Sequence, residues 1–398
     1  MKLLKLEIKD IRNIRTGHLD GLMDANLIFG ENGAGKTSIL EAIFFLGMAR
    51  SFRSSKIKPF INNSSSSCRV YAEFVDELGQ PHRAGIERGL RGGFAIKVDG
   101  AQVSAASELA RIFPVQLINA QSFVLLEGSA RERRKLLDWG VFHVEPGFLD
   151  AWRRVRRALT QRNGLLKEAK RRRLIAPGAN YEALVEQIRP WDLEIAKSSV
   201  FIGRSRELYF ERFARSFELR FAELSQGNCP DVKMALLSGW PEQAVNVSEL
   251  AADVESGEQS AINAYLEALS GNLPTDIKRG TTSVGPHRAD VSISVDGAKA
   301  GDILSRGQQK LVVIALKLAQ CSLFIEDTGR KPVLLADDLP AEVDRKHQEI
   351  LLTSLSRFGM QCFFTALEGD LLGLSEWPQT DRCVFHVEQG SIQGLSVS

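Results

Sequence analysis

The octapeptide Gly30-Glu31-Asn32-Gly33-Ala34-Gly35-Lys36-Thr37 constrains this 398-residue chain more than any other feature. It fits G-x-x-x-x-G-K-[ST], follows the short apolar run Asn26-Leu27-Ile28-Phe29, and opens a stretch of helical character from Ser38 to Leu46. Strand, glycine turn and helix in that order form a cradle for phosphate. Gly30, Gly33 and Gly35 let backbone N–H groups turn inward around anionic oxygens without Cβ clashes. Lys36 supplies a cation to the β- and γ-phosphates, and the Thr37 hydroxyl is a ligand for Mg²⁺. The helix N-terminus adds roughly half a positive charge. An α/β fold that binds ATP or a related nucleotide is the expectation.

Two further segments narrow the class. Val333-Leu334-Leu335-Ala336-Asp337-Asp338 reads as a buried strand ending in two carboxylates. Beside the loop strand it would bring Asp337 to the metal and Asp338 one step closer to an attacking water, which Asp338 could orient or deprotonate. The two carboxylates repel, and a bound cation offsets that. Without the phosphate loop, the same residues would read as an ordinary strand-end turn. Leu304-Ser305-Arg306-Gly307-Gln308 precedes a helix over Gln309–Leu323 and offers a hydroxyl and free N–H groups at a helix N-terminus. In isolation it is equally an ordinary serine N-cap.

The charge is unevenly spread. The totals, 51 Lys/Arg against 49 Asp/Glu, leave a formal +2 and give no overall basicity of the kind that marks a nucleic-acid binder. Yet residues 131–173 carry 14 Lys/Arg against 5 Asp/Glu, and residues 174–274 carry 8 against 15. The basic block is either a solvated helix face or a phosphate-facing surface. No apolar run approaches the ~20 residues that cross a bilayer, and the charged start Met1–Glu7 is no signal peptide. The five cysteines form no Cys-x-x-Cys pair, so a reduced, cytoplasmic chain without a structural metal site is expected.

The ends read as strand-rich and the middle as helical. Leu4, Leu6 and Ile8 alternate, as do Val70, Ala72 and Phe74, then Phe94, Ile96 and Val98; Val115–Ile118 is a further apolar run. Phe148, Trp152, Val155, Leu159 and Leu166 form a helical stripe over Phe148–Arg173, about 40 Å long at ~1.5 Å per residue. After a break at Pro177-Gly178, Tyr181, Leu184, Ile188, Trp191 and Ile195 repeat with heptad spacing, which predicts an antiparallel hairpin. Val291, Ile293 and Val295 alternate, Glu342–Phe358 is a helix, and Cys362–Phe364 a strand. The expected division is a head from residues 1–130 and 275–398, interrupted by a helical lobe over 131–274. Trp139 and Trp152 are expected in the core, and His18, His82, His143, His347 and His386 show no metal-ligand spacing.

The order phosphate loop, Ser-x-Gly-Gln, acidic strand is that of the ATP-binding-cassette ATPases. The chain resembles the RecF family, bacterial recombination-repair ATPases of the Rad50/SMC branch. The resemblance rests on Ile11-Arg12-Asn13, Gly30–Thr37, Ser51-Phe52-Arg53, Arg133-Arg134-Lys135-Leu136-Leu137-Asp138 and Gln161-Arg162-Asn163. It continues through Gly285-Pro286-His287-Arg288-Ala289-Asp290, Leu304–Gln308, Asp337-Asp338 and Ala341-Glu342-Val343-Asp344. These stretches run from end to end. Departures are Ile11 where the family has Phe, Val343 where it has Leu, and Ala120-Gln121 where many members have Pro-Glu.

The resemblance implies a cassette-ATPase head of mixed sheet and helices with an inserted helical hairpin lobe, using ATP and Mg²⁺. The implied nucleotide contacts are Gly30 to Ser38 together with Arg12 and Asn13. Lys36, Asp338 and Gln121 are the implied catalytic set, and Thr37, Asp337 and Gln121 the metal set, Gln121 standing at the Q-loop position after Val115–Ile118. Leu304, Ser305, Arg306, Gly307 and Gln308 would act on the nucleotide held by a second copy, so an ATP-dependent homodimer is implied. Thr365 stands where other cassette ATPases carry a switch histidine, which points to slow hydrolysis.

Implied partners are gapped or junction DNA and RecR, with RecO and RecA in the pathway, in support of replication and the SOS response. The DNA-facing candidates in the basic block are Arg133, Arg134, Arg153, Arg154, Arg157, Arg171, Arg172 and Arg173; His287-Arg288 would either support the signature loop, Leu304–Gln308, or touch DNA. A short-armed SMC/Rad50-like chromosome-maintenance ATPase is the alternative. A small-molecule kinase leaves Ser305–Gln308 and the basic hairpin unexplained, and the helical insert speaks against a transporter subunit.

Overall fold

The computed structural model describes residues 1–174, 178–241, 254–368 and 374–395. Pro177 of the expected Pro177-Gly178 break lies outside them. The chain divides into two compact units: residues 1–123, 216–229 and 304–398 form the first, and 124–215 with 230–303 form the second. The division therefore falls after 123 and 303 rather than at 130 and 275. The strand Asp290–Val295 goes with the helical unit.

Two sheets share one core in the first unit. One is antiparallel, in the order Ile14–Asp20, Lys2–Ile11, Ser67–Val75, Pro81–Gly89, Phe94–Val98, Ala101–Val103. The expected alternation fails at two points, Phe94, which is exposed at the start of its strand, and Leu4. A bulge between Leu3 and Lys5 buries Leu3 and turns Leu4 outward, while Leu6 and Ile8 stay buried.

The other sheet runs Ser391–Leu395, Arg382–Glu388, Ala25–Phe29, Cys362–Ala366, Val333–Ala336, Val115–Ile118. Its first pair is antiparallel and the remaining pairs are parallel. Val333–Ala336 and Cys362–Ala366 are buried throughout, as strands covered on both faces must be. The acidic strand is not adjacent to the loop strand Ala25–Phe29, because Cys362–Ala366 lies between them. The helix Lys36–Met48 packs Ile39, Leu40, Ile43 and Phe45 against side chains of both sheets.

The second unit is helical around a small sheet, Ala298–Lys299, Asp290–Val295, Lys233–Leu237. The first arm helix, Phe148–Arg171, has 24 residues, about 36 Å at 1.5 Å per residue. The heptad repeat from Tyr181 to Ile195 marks the start of the second. That helix runs Ala179–Ser225, 47 residues, straight through Pro190. Proline removes one ladder bond and does not by itself end a helix whose flanks are well packed. Leu166, Ala169, Leu184 and Ile188 interlock with Leu273 and Ile277 of the short helix Leu273–Arg279. That third helix has only seven residues, too few for a helical repeat to show in the sequence.

The segment Gly285–Asp290 is a clamp inside this unit. Arg133 holds the Asp290 carboxylate through two bonds of 2.8 Å, and Arg206 donates to Pro286 O at 2.8 Å. His287 Nε2 lies 3.2 Å from Thr282 O, and Arg288 Nη2 donates to the same oxygen at 2.7 Å. His287 and Arg288 thus brace the turn at Thr282, with Arg288 exposed. Burial pushes the His287 imidazole down to about 4. Its unfolded value is near 6.5, so the unfolded chain binds the extra proton between those limits. The native state should therefore lose up to about 3 kcal/mol as pH falls from 6.5 toward 4. Unfolding curves across that range should be steeper for the parent than for His287→Gln, and parallel curves would exclude this source.

Candidate nucleotide-binding site

The phosphate loop is built by its glycines. Gly30 has φ +149°, and a Cβ there would sit 2.2 Å from Val387 O; Gly35 has φ +125° and lies against the Asn13 side chain. Asn13 Nδ2 donates to Gly33 O at 3.0 Å and Ala34 O at 2.9 Å, and Ser38 Oγ donates to Asn13 Oδ1 at 3.0 Å. Gly390 N donates to Ala34 O at 2.7 Å. The loop is therefore fixed in shape by neighbours on both sides. Arg12 reaches the same pocket, but its guanidinium is paired with the fully buried Glu41 carboxylate, through bonds of 2.9 and 2.8 Å. It braces the wall.

Lys36 is nearly buried. Its Nζ donates to Gly30 O at 2.6 Å and Glu31 O at 2.9 Å, so loop carbonyls hold the cation where a phosphate would lie. Burial lowers its pKa, opposed by the charges of Asp338 and Asp337. Thr37 Oγ1 donates to Asp337 Oδ1 at 3.0 Å, and Thr365 Oγ1 donates to the same oxygen at 2.9 Å. Asp338 N donates to Thr365 Oγ1 at 2.7 Å. Thr365 thus bridges the two acidic residues from the intervening strand. Burial raises the Asp337 pKa, and the neighbouring Asp338 adds to this, against the hydrogen bonds from Thr365 and Thr37. Asp338 stands exposed at φ +53°, where the chain leaves the strand.

These groups line a cavity of about 400 Å³, within the usual range for ligand sites. Its walls include Asn32, Lys36, Thr37, Asp337, Asp338 and Thr365. Ala120 lines it; the expected Q-loop residue Gln121 is exposed on the one-turn helix Ala120–Phe123 and does not. Arg53 also lines the cavity, and its charge acts on Asp337. Nothing in the Ser51-Phe52-Arg53 stretch by itself marks Arg53 as a pocket residue. Its signal is local: the Ser51 hydroxyl accepts from Arg53 N and Ser54 N at 3.0 Å and donates to Glu41, a turn that presents Arg53 to the pocket.

Ser305 caps the helix Arg306–Thr328. Gln308 N donates to Ser305 Oγ at 3.3 Å, and Ser305 N donates to Gln308 Oε1 at 3.0 Å, a full capping box. Ser305, Arg306, Gly307 and Gln308 line a separate cavity of about 520 Å³ together with Asp344 and His347. It shares no lining residue with the loop cavity.

The basic candidates split. Arg133 is spent on Asp290, and Arg134 is half-buried and donates to Ala289 O. Both are structural. Arg153 pairs with Asp150, and Arg154 with Glu194, at the surface. Arg171 and Arg172 share Glu168 and remain largely exposed; Arg157 and Arg173 are exposed. Trp152 is a helix-packing residue, donating to Asp138 at 3.1 Å with the Arg206 guanidinium 5.2 Å over its ring. Among the described residues no helix is long and apolar enough to cross a membrane.

Comparison with known proteins agrees with this geometry. The model of the RecF/RecN/SMC N-terminal domain matches residues 2–392. The DNA replication and repair protein RecF of Pseudomonas aeruginosa (strain LESB58) is 37% identical over 392 residues, covering 98% of this chain and 97% of the relative. RecF of Pseudomonas putida (strain F1) is also 37% identical, with 98% of each covered. A solved structure described as the recombination mediator protein RecF-ATP in the RecFOR pathway superposes with a TM-score of 0.82 at 25% identity, covering 99% of this chain and 97% of that one. The Smc head domain of Pyrococcus furiosus shares the fold at a TM-score of 0.56 and 17% identity, covering 100% of this chain and 96% of that one. The head is thus a cassette-type ATPase fold, and the chain belongs to the RecF family.

Proposed function

We propose that this chain is a recombination-repair ATPase in which ATP binding closes two copies around DNA and hydrolysis releases them. The observation that carries the reading is the pair of separate cavities in one unit. The loop cavity holds Lys36, Thr37, Asp337 and Asp338, while the Ser305–Gln308 helix start faces a different cavity. A γ-phosphate at Lys36 would lack its signature contact until a second copy supplied it, so the nucleotide would act as the adhesive of a symmetric dimer. Ser305 and Gln308 would exchange their mutual capping bonds for bonds to that phosphate.

Thr37 and Asp337 fit Mg²⁺. Their oxygens are 3.0 Å apart, the spacing of adjacent octahedral vertices with bonds of ~2.0–2.1 Å. When bound, the ion would offset phosphate charge and the repulsion of Asp337 and Asp338. Asp338, exposed beyond Asp337, would orient the attacking water. Thr365 ties the acidic pair together but does not titrate near neutrality as an imidazole would, which supports slow turnover and use of ATP as a switch. Gln121 would enter only if its short helix shifted on binding.

The relatives' names, a DNA replication and repair protein and a recombination mediator of the RecFOR pathway, support a role in recombination repair. Within that role we propose binding at gaps and single-strand/double-strand junctions, contact with RecR, and RecA loading with RecO, in support of replication and the SOS response in the cytoplasm. The 24-residue first arm is too short for the long coiled coil of an SMC-type chromosome protein. The test is sedimentation with and without ATP, beside hydrolysis with and without gapped duplex. ATP-dependent dimerisation with DNA stimulation is expected; a monomer at saturating ATP would sink the clamp. Ser305→Arg should leave nucleotide binding by the monomer intact and block both dimer and hydrolysis. Equal loss of monomer binding would place Ser305 in its own chain's site.

A further inference from the structure

We infer that a second basic segment, Lys278-Arg279, joins Lys167 and Lys170 in one cationic patch that takes the phosphodiester backbone of duplex DNA. The inference rests on the DNA reading above and says which surface does the holding. The two segments are more than 100 residues apart in sequence, and Lys278-Arg279 lies just past the acidic stretch.

Packing brings them together. Leu273 and Ile277 of the short helix bury against Leu166 and Ala169 of the first arm helix. Asp276 of the same helix is fixed by Arg162 of the arm at 2.7 Å. The helix ends at Gly280, φ +76°, where a Cβ would lie 3.4 Å from Lys167 Cγ and 3.5 Å from Lys170 Cδ. The inward face is thereby used up, and Lys278 and Arg279 remain exposed beside exposed Lys167 and Lys170.

None of these four cations has an ion pair among the described residues. The carboxylates next to them in sequence are committed elsewhere: Glu168 takes Arg171 and Arg172, and Asp276 takes Arg162. Rigidly apposed like charges repel unless a polyanion covers them. A protein partner would want apolar or aromatic anchors at the patch centre. No exposed large hydrophobic residue belongs to Phe148–Arg171 or Leu273–Arg279. Phosphate is the chemistry that fits, and such contacts give affinity without reading sequence.

Two double variants of the full-length chain test this, Lys167→Glu with Lys170→Glu and Lys278→Glu with Arg279→Glu. Each should weaken affinity for a gapped duplex at least tenfold. Each should also flatten the salt dependence of binding by a slope of about 2, as expected for two lost phosphate contacts. Thermal unfolding and ATP-dependent dimerisation should match the parent, since no altered residue lines either nucleotide cavity. Unchanged affinity and slope in both variants, with the parent binding DNA, would overturn the patch and leave the clamp standing. Weakened binding to poly-glutamate but not to DNA would overturn it in favour of an acidic protein partner. A parent that binds no DNA would overturn the proposed function itself.

Discussion

Lys36→Ala should abolish nucleotide-dependent dimerisation and cut hydrolysis by roughly a hundredfold or more, the loss typical when one preorganised donor to a developing charge is removed. The size follows from the burial of the cation. Lys36 Nζ sits on the Gly30 and Glu31 carbonyls, 2.6 and 2.9 Å away, with the Asp337 and Asp338 charges acting on it. Removing it leaves a cavity whose remaining fixed charges near the phosphates are largely negative. Arg12 cannot substitute, since Glu41 holds it, and Arg53 lies at the exposed edge. The fold should persist, because Asn13, Ser38 and Gly390 secure the loop independently of Lys36. Sedimentation at saturating ATP with Mg²⁺ is the measurement. A variant that still dimerises would show that the phosphate loop does not control assembly.

Local pattern carried the loop, the acidic strand and the capped signature helix, because each is specified by contiguous residues whose backbone demands are strong. What pattern could not carry is order across a sheet. The insertion of Cys362–Ala366 between the loop strand and the acidic strand is set by crossovers of more than 20 residues, so the role of Thr365 as the bridge between Asp337 and Asp338 emerged only from topology. Leu4 failed for a smaller reason of the same kind. One bulged residue reverses the side-chain alternation at that point, and alternation is all that a sequence displays. The full length of the long helix is not legible because the heptad pattern fades after Ile195. Phe213, Phe217 and Phe221 continue its buried face toward Ser225.

Charge counting misjudged direction. The block over residues 131–173 is strongly basic, yet Arg133, Arg134 and Arg162 point inward and meet carboxylates or carbonyls. Each has a partner more than 100 residues away, at Asp290, Ala289 and Asp276 respectively. Conversely, Lys278 and Arg279 sit outside the block and join it in space. A run of like charge states how much positive potential is available. Tertiary packing decides where it faces, and here it divides the run between a scaffold and a surface.

Arg162→Ala should destabilise the helical unit by roughly 3–5 kcal/mol, the cost of leaving a buried charge without its partner. Arg162 is fully buried on the arm. It donates to Asp276 at 2.7 Å, Asp192 at 2.5 Å and Thr282 at 2.9 Å, so one guanidinium joins both arm helices and the short third helix. Alanine would strand Asp276, itself fully buried, and Asp192, which is mostly buried. Denaturant unfolding should show an early transition for this unit, with the nucleotide-binding unit unfolding later. A buried ion pair is a poor source of net stability, since desolvation consumes most of its attraction. Arg162→Met combined with Asp276→Asn and Asp192→Asn should therefore recover much of the loss. Asparagine at 276 can still accept from Ser283 N and Oγ, which bond to Asp276 Oδ1 at 2.9 and 2.6 Å. The recovered triple variant separates two roles. If DNA affinity stays low after stability returns, the Arg162 charge tunes the patch directly. If affinity returns with stability, its role is to hold the short helix against the arm, so that Lys278 and Arg279 stand beside Lys167 and Lys170. The second result is expected, because Arg162 lies wholly beneath the surface that phosphate would touch.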